Sequence, residues 1–450
     1  MSSRPLHDAL AVASRVFIWG AGVEGLATAR YLNSTGSKPK LYLISDTEVS
    51  EQTCAEMGVE RWMSPASALG LVSKNDVLLR SPGVPLKRAE VAGFVEAGGF
   101  ASTPTNLAFE RVDASKIILV TGTKGKSTTA SLLAQVMATT FDTALVGNIG
   151  SPFLEVDPDC DWIVLELSSY QCADLAQTAH TRILTNLYPE HLDWHGSIDA
   201  YYTDKTRPFA TASTGDSWLN AQERAVLDIA QNWTGKRLFD APNALRFNDD
   251  TLVRDKTVLG ACPKIAHQGR HMKANALAAL SVGLELGVPI DKAITAVEAY
   301  GGLPHRQEIL GESDGVLYVN DSISTIPQSA LAALERFANR PVHLLVGGKD
   351  RGVDPSALLD ALRSSNLASL TFMGETAESW KNKLGAVAYP VHQAVDLETA
   401  VTHAQSQAQH GDVILLSPAA ASYDQFSNFQ ERGAAFRQIT GFAPLAPAPE

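Results

Sequence analysis

The segment IILVTGTKGKSTTASLLAQV (residues 117–136) decides the fold. Its first five residues are apolar or β-branched, its middle carries Gly122 and Gly125, and its end has the apolar spacing of a helix. A buried strand, a glycine-bearing turn and a helix start make the layout of a phosphate-binding loop. The usual pattern places a glycine five residues before Gly125, where Val120 stands, and the first glycine has moved to Gly122. The loop is therefore a variant. Gly122 and Gly125 free the backbone to aim N–H groups at phosphate, Lys126 can give a cation to terminal phosphates, and Ser127 or Thr128 can give a hydroxyl to Mg²⁺. A lysine-capped surface turn is the competing reading, and it leaves Gly-Lys-Ser-Thr at the strand–helix junction unexplained.

Working outward, RVFIWG (15–20), KLYLISD (40–46) and DVLLRSPG (76–83) are strand-like, and GLATARYLNSTG (25–36) is helical. This βαβ rhythm implies a parallel sheet. Downstream, DWIVLELSS (161–169) and TRILTNL (181–187) are further buried strands, and ANALAALSVGLELG (274–287) is an apolar helix closed by Gly287. A third series follows GGLPHR (301–306): GVLYVNDS (315–322), PVHLLVGG (341–348), LASLTFMG (367–374) and DVILLSPAAAS (412–422). Strand after strand ends in Gly, Ser, Pro or Asp, and open parallel sheets bind ligands outside the carboxyl ends of their strands. The expected fold class is α/β, with three consecutive domains over 1–112, 113–305 and 306–450. The one low-complexity stretch is the tail APLAPAPE (443–450).

The 450 residues carry a formal charge of −12 with no basic tract, which argues against nucleic acid as a partner. Cys54, Cys160, Cys172 and Cys262 lie far apart without metal-ligand spacing, as reduced thiols do. No apolar run approaches the roughly 20 residues that span a bilayer, and MSSRPLHDALAVASRVFIWG lacks an export signal. A cytoplasmic protein without membrane insertion is expected.

Three further features carry chemistry. Gly20-Ala21-Gly22-Val23-Glu24-Gly25 is a GxGxxG directly after a strand, and Asp46 ends the next strand 21 residues past Gly25. Such a turn can bind a diphosphate, and the acid can reach a ribose, so an NAD site and a ligand-free tight turn are both open. Glu166 ends one strand and PEHLD (189–193) follows the next, so Glu166 and His191 could share a metal beside a phosphate. Arg306 sits near a domain junction, where it could clamp phosphates or form an ordinary surface pair.

Taken together these segments resemble the Mur ligase family, and within it the glutamate-adding members. The likeness runs in order along nearly the whole chain: GAGVEG, SPG (81–83), TGTKGKST, GNIG (147–150), LELSSYQ (165–171), NLYPEHLDWHGSIDAYYTDK (186–205), ANALAAL (274–280), GLPHR (302–306), NDS (320–322), GGKDRG (347–352) and SPAAASYDQFSNFQERG (417–433). The resemblance implies a Rossmann-like first domain that holds UDP-N-acetylmuramoyl-L-alanine, with Gly22, Val23, Glu24, Gly25, Asp46, Thr47, Ser81 and Asn148 around it. It implies a P-loop ATPase-like central domain in which Gly122, Thr123, Lys124, Gly125, Lys126, Ser127 and Thr128 bind ATP, joined by Asn275, Arg306 and Asp321. Ser127 and Glu166 would hold one Mg²⁺, and His191 and Lys205, the latter as its carbamate, a second. Lys126, His191 and Lys205 would be the catalytic set. A Rossmann-like third domain would bind glutamate through Thr325, Arg351, Ser422 and Phe429. The implied reaction phosphorylates a carboxylate and lets the glutamate amine displace phosphate, with closure of the third domain excluding water. A monomer is expected.

Four positions depart from the family pattern. Ile323 follows NDS where lysine is normal, Gly347-Gly348-Lys349-Asp350-Arg351 replaces a motif ending in lysine, Met272 stands for a usual asparagine, and Glu48 stands for arginine. The first two fall in the amino-acid pocket. Arginine reads carboxylates with a planar fork and lysine as a point charge, so the pocket is redrawn. A stereoisomer exchanges the places of α-carboxylate and amine, so the redraw could change handedness; the pattern resembles a branch of the family that adds L-glutamate, and that resemblance favours L-glutamate over the usual D-glutamate. The rivals are a folylpolyglutamate synthase-like ligase, which lacks this first domain, and an NAD-dependent oxidoreductase, which leaves Lys126, Glu166, His191 and Arg306 without a role.

Overall fold

The computed structural model describes residues 5–35, 39–212, 214–267, 269–352 and 354–443. The tail from Pro444 onward lies outside them. The chain divides into two compact units, Met1–Tyr300 and Gly301–Glu450. No helix among the described residues is long and apolar enough to cross a membrane.

The first unit contains two parallel sheets. In one, β1 (Arg15–Trp19), β2 (Lys40–Ile44), β3 (Trp62–Met63), β4 (Val77–Arg80) and β5 (Phe100–Ser102) are ordered β3-β2-β1-β4-β5. All neighbours are parallel, and the strand order reverses between β1 and β4. In the other, β6 (Ile117–Thr121), β7 (Thr143–Gly147), β8 (Trp162–Glu166), β9 (Thr181–Leu184), β10 (Asp216–Asn220) and β11 (Lys236–Phe239) are ordered β11-β10-β9-β6-β8-β7, again all parallel. Every residue of β6 is buried, as expected for a strand with helices on both faces.

One hydrophobic cluster runs through both sheets, from Val16 and Ile18 to Leu119, Phe153 and Leu165. Phe109 meets Phe153 edge-on at 5.2 Å, and Arg111 lies over the Tyr31 ring at 4.6 Å. Asn106 donates to the Asp174 carbonyl and accepts from the Ala176 N–H. The buried Arg80 pairs with Asp174. These ties cross residue 112, so the first two sheets form one body.

Sequence periodicity did not signal a three-stranded antiparallel meander, β12 (Leu245–Asn248), β13 (Thr251–Arg254) and β14 (Thr257–Ala261). In the second unit, β15 (Glu308–Ser313), β16 (Val316–Asn320), β17 (Val342–Gly347), β18 (Ser369–Met373), β19 (Val391–Ala394) and β20 (Val413–Leu416) are ordered β15-β16-β20-β17-β18-β19. Only the edge strand β15 is antiparallel to its neighbour. The expected α/β architecture is present in both units.

Candidate active site

The loop after β6 is built against the loop after β9. Gly122 has φ +143°, and a Cβ on it would stand 2.0 Å from the Thr185 Oγ1. Asn186 accepts from the Lys124 N–H at 2.8 Å and donates to the Lys124 carbonyl at 2.9 Å, while the Thr185 hydroxyl donates to that same carbonyl. Thr123 shares a 2.8 Å hydrogen bond with the Tyr201 hydroxyl. Gly125, at φ +78°, precedes the helix Lys126–Ala138, and a Cβ there would meet the Asn275 Oδ1 at 2.5 Å. Asn275 in turn accepts from the Thr129 hydroxyl. The loop thus presents a helix N-terminus with open backbone N–H groups, and Ser127 and Thr128 lie in its first turn.

The displaced glycine therefore has a structural cause: position 122 is where the loop crosses Thr185. Gly122→Ala should lower stability by about 2–6 kcal/mol, since a strained backbone costs about 1–3 and overpacking about 1–3. A melting curve checks this, and an unchanged Tm would refute it.

Two lysines converge on this loop. Lys126 Nζ donates to the Thr123 carbonyl at 2.9 Å, and Lys205 Nζ, from the helix Ile198–Ala210, donates to the Gly122 carbonyl at 2.7 Å. Burial lowers the basicity of Lys126, with the charges of Glu166 and Glu190 opposing the shift. Lys205 is pushed down to about 7, by burial first and by Lys126 second. The Glu166 carboxylate is buried at the end of β8. His191 adopts the left-handed conformation, φ +56°, and its ring lies 5.1 Å from that of Tyr170, tilted by 56°. Among the described residues no three His, Cys, Asp or Glu side chains are grouped so as to hold a metal ion by themselves. A Mg²⁺ ion here would draw further oxygens from phosphate, hydroxyl and water, which suits its preference.

Beside Lys205 lies a hydrogen-bonded series that sequence reading missed. His195 Nε2 meets the Ser169 Oγ at 3.0 Å, and His195 Nδ1 meets the Asp204 carboxylate at 2.7 Å. The order is that of a Ser-His-Asp triad. Ser169 is 2% exposed and His195 1%, so substrate cannot reach the hydroxyl. The series is a clasp holding the Lys205 helix to the turn after β8.

The glycine turn after β1 sits at the order reversal of its sheet, where a crevice opens. A Cβ on Gly20 would stand 2.6 Å from the Ser81 Oγ, and one on Gly25 would stand 1.9 Å from the Gly20 carbonyl oxygen. Gly22 and Val23 are exposed at the start of the helix Val23–Ser34. Glu24 accepts from the Gln171 amide at 3.4 Å, so the turn after β8 touches the glycine turn. Burial pushes the Glu24 carboxyl up to about 7, with the Glu155 charge adding to the effect. Asp46 forms an ion pair with Arg88, Thr47 is exposed, and Asn148, exposed after β7, donates its N–H to the Glu166 carbonyl.

In the second unit, Asp321 follows β16 and is buried. Its carboxylate accepts from the Ser417 hydroxyl at 2.6 Å and the Gln307 N–H at 3.0 Å. Arg306 is exposed between His305 at φ +61° and Gln307 at φ +44°. A cavity of about 200 Å³ at the carboxyl ends of the strands is lined by Thr325, Ile326, Lys349, Asp350, Arg351, Thr376, Trp380 and Ala419 to Ala421. It brings Thr325 and Arg351 together. Ser422 and Phe429 do not line it, although Ser422 directly follows its Ala421 wall. The Phe429 carbonyl accepts from the Ser322 hydroxyl at 2.8 Å, tying the last helix to the NDS turn.

Asn186, Thr185, Tyr201 and Gln171 escaped the sequence reading. Each lies in a quoted segment, but only folding reveals which loop it supports.

A phosphate loop with two converging lysines and a buried acid, at the carboxyl ends of parallel strands, is the layout of an enzyme that handles the phosphates of a nucleotide. The Mur ligase middle domain profile matches residues 120–283, and the profile described as "Mur ligase, glutamate ligase domain" matches residues 305–420. A UDP-N-acetylmuramoyl-L-alanine–L-glutamate ligase of Xanthomonas axonopodis pv. citri is 33% identical over 449 residues, 96% of each chain. A UDP-N-acetylmuramoylalanine–D-glutamate ligase of Natranaerobius thermophilus is 31% identical over 400 residues, 84% of this chain and 86% of that one. A UDP-N-acetylmuramate–alanine ligase of Thermotoga maritima, 16% identical, shares the fold with a TM-score of 0.56 over 95% of this chain and 99% of that one. The chain belongs to the Mur ligase family, and it is an ATP-dependent, ADP-forming amide ligase.

Proposed function

We propose that this chain joins L-glutamate to UDP-N-acetylmuramoyl-L-alanine in cytoplasmic peptidoglycan synthesis. The observation that carries the ligase chemistry is the convergence of Lys126 and Lys205 on adjacent carbonyls of one phosphate loop, near buried Glu166. Three functional domains, 1–112, 113–305 and 306–450, serve the UDP-substrate, ATP and glutamate.

A carboxylate is a poor acyl donor because oxide would have to leave. Transfer of the γ-phosphoryl group of ATP makes an acyl phosphate, the glutamate amine attacks its carbonyl carbon, and phosphate leaves as the amide forms. Lys126 holds the transferring phosphoryl oxygens, and the N–H groups at the start of its helix hold the neighbouring phosphates. Asn275 fixes the loop from below through its contact with Thr129. Arg306 and Asp321 also serve ATP binding. Ser127 and Glu166 fit a first Mg²⁺, and His191 and Lys205 a second. Bound there, the ions supply positive charge that offsets the approach of carboxylate to phosphate. The low basicity of Lys205 leaves a large share of its amine neutral near pH 7, the form that adds CO₂, and the resulting carbamate is an anionic oxygen donor.

The choice of L-glutamate is supported by the Xanthomonas relative and by the cavity of the second unit. Arg351 and Lys349 supply cationic groups there, Thr325 a hydroxyl, and Ile323, two residues before Thr325 in the chain, offers no charge. Purified protein assayed with UDP-N-acetylmuramoyl-L-alanine, ATP and each enantiomer should turn over L-glutamate. Turnover with D-glutamate alone would sink the stereochemical choice, and no turnover with either would sink the substrate assignment.

A further inference from the structure

Arg88 breaks a local rule. It is the N-cap residue of the helix Ala89–Glu96, its side chain makes no capping bond, and its charge faces the positive end of the helix dipole. Ser, Asp or Asn would serve that helix better. Rules of this kind are broken where a site needs the side chain.

The side chain is held with care. Nη1 and Nη2 donate to the two Asp46 oxygens at 2.8 and 2.9 Å, and Nη2 and Nε donate to Glu90 at 2.9 and 3.3 Å. The carbon centre of the guanidinium lies 4.7 Å from the centroid of the Trp19 ring. Trp19 ends β1 and Asp46 follows β2, so the group stands at the carboxyl edge of the first sheet, by the crevice lined by Gly20 and Ser81. Two carboxylates consume nearly all the donors along its edge. The trio carries a net negative charge, which disfavours phosphate. One planar face rests on Trp19, and 27% of the side chain remains exposed. What is left to offer a ligand is a flat π-face, which suits a nucleobase.

We propose that Arg88 is the platform on which the base of the nucleotide substrate stacks. Trp19 supports it from beneath, and Asp46 and Glu90 lock its rotation. This rests on the reading that the first sheet holds a UDP-linked substrate.

The test compares wild type, Arg88→Ala and Arg88→Lys in the full-length enzyme. Both variants should raise KM for UDP-N-acetylmuramoyl-L-alanine about tenfold or more, within the range for losing one base stack, with KM for ATP unmoved. In wild type, UMP should inhibit far better than ribose 5-phosphate, and in both variants that preference should collapse. A preference retained in both variants overturns the proposal. So does full recovery by lysine, which would make the role one of charge. Arg88→Lys keeps the test alive if the alanine variant fails to fold. Wild-type enzyme that does not saturate with the UDP-linked substrate would overturn the substrate assignment itself, a result distinct from either of these.

Discussion

Lys126→Ala should abolish ATP-dependent ligation, with phosphate release falling by about 10²–10³ or more, the usual cost of removing one preorganised charge from a transition state. The ammonium is the cation closest to hand: it already lies on the loop, 2.9 Å from the Thr123 carbonyl oxygen. Burial works against its charge, with Glu166 and Glu190 opposing that effect. Alanine therefore removes a group that folding tolerates and does not require, and Tm should hold or rise. The pairing of intact stability with lost turnover separates a chemical role from a structural one. Near-normal phosphate release, coupled to amide formation, would refute the assignment. Arginine should not substitute, because its wider fork does not fit where a compact ammonium rests against a carbonyl.

The second large effect concerns Lys205. Its basicity falls from 10.5 to about 7 on folding, mainly through burial. Between those values the unfolded chain binds more protons at this residue than the folded one, so stability rises with pH across that window. Below about 7 the lysine costs stability in full, and the cost fades as pH climbs toward the unfolded value. Lys205→Met removes the titrating group while keeping most of the bulk. In CO₂-free buffer the methionine variant should be the more stable at neutral pH, by a few kcal/mol, because each tenfold loss of proton affinity on folding is worth about 1.4 kcal/mol. The gap should close as pH approaches 10. Melting curves of the two proteins that stay parallel across this range would show that Lys205 is not perturbed as described. Ligase activity should be lost in the variant at every pH, since methionine cannot carry the carbamate.

The sequence showed what is local. The phosphate loop, the strands ending in Gly, Ser or Asp, and the parallel sheets follow from adjacent residues and their periodicity. Partners far apart in the chain stayed hidden. Arg88 finds Asp46 across 42 residues, Gln171 finds Glu24 across 147, and Arg80 finds Asp174 across 94. No pattern in one sequence links such positions. The meander β12–β14 was missed for another reason. Its two turns carry Asp249 at φ +49° and Asp255 at φ +54°, where glycine or asparagine would have marked a hairpin. Aspartate tolerates the left-handed region but seldom announces it. One cluster of apolar side chains draws on residues before and after position 112, a packing that no local pattern in the sequence announces.

The clasp of Ser169, His195 and Asp204 has a mechanical meaning. It fastens the helix bearing Lys205 to the turn that follows Glu166, with Ser169 and His195 buried and the Asp204 side chain 28% exposed. The acid and the amine therefore ride on one stiff bracket. A ligand that pulls on either must carry the other with it, so a perturbation at one should register at the second without passing through the phosphate loop between them.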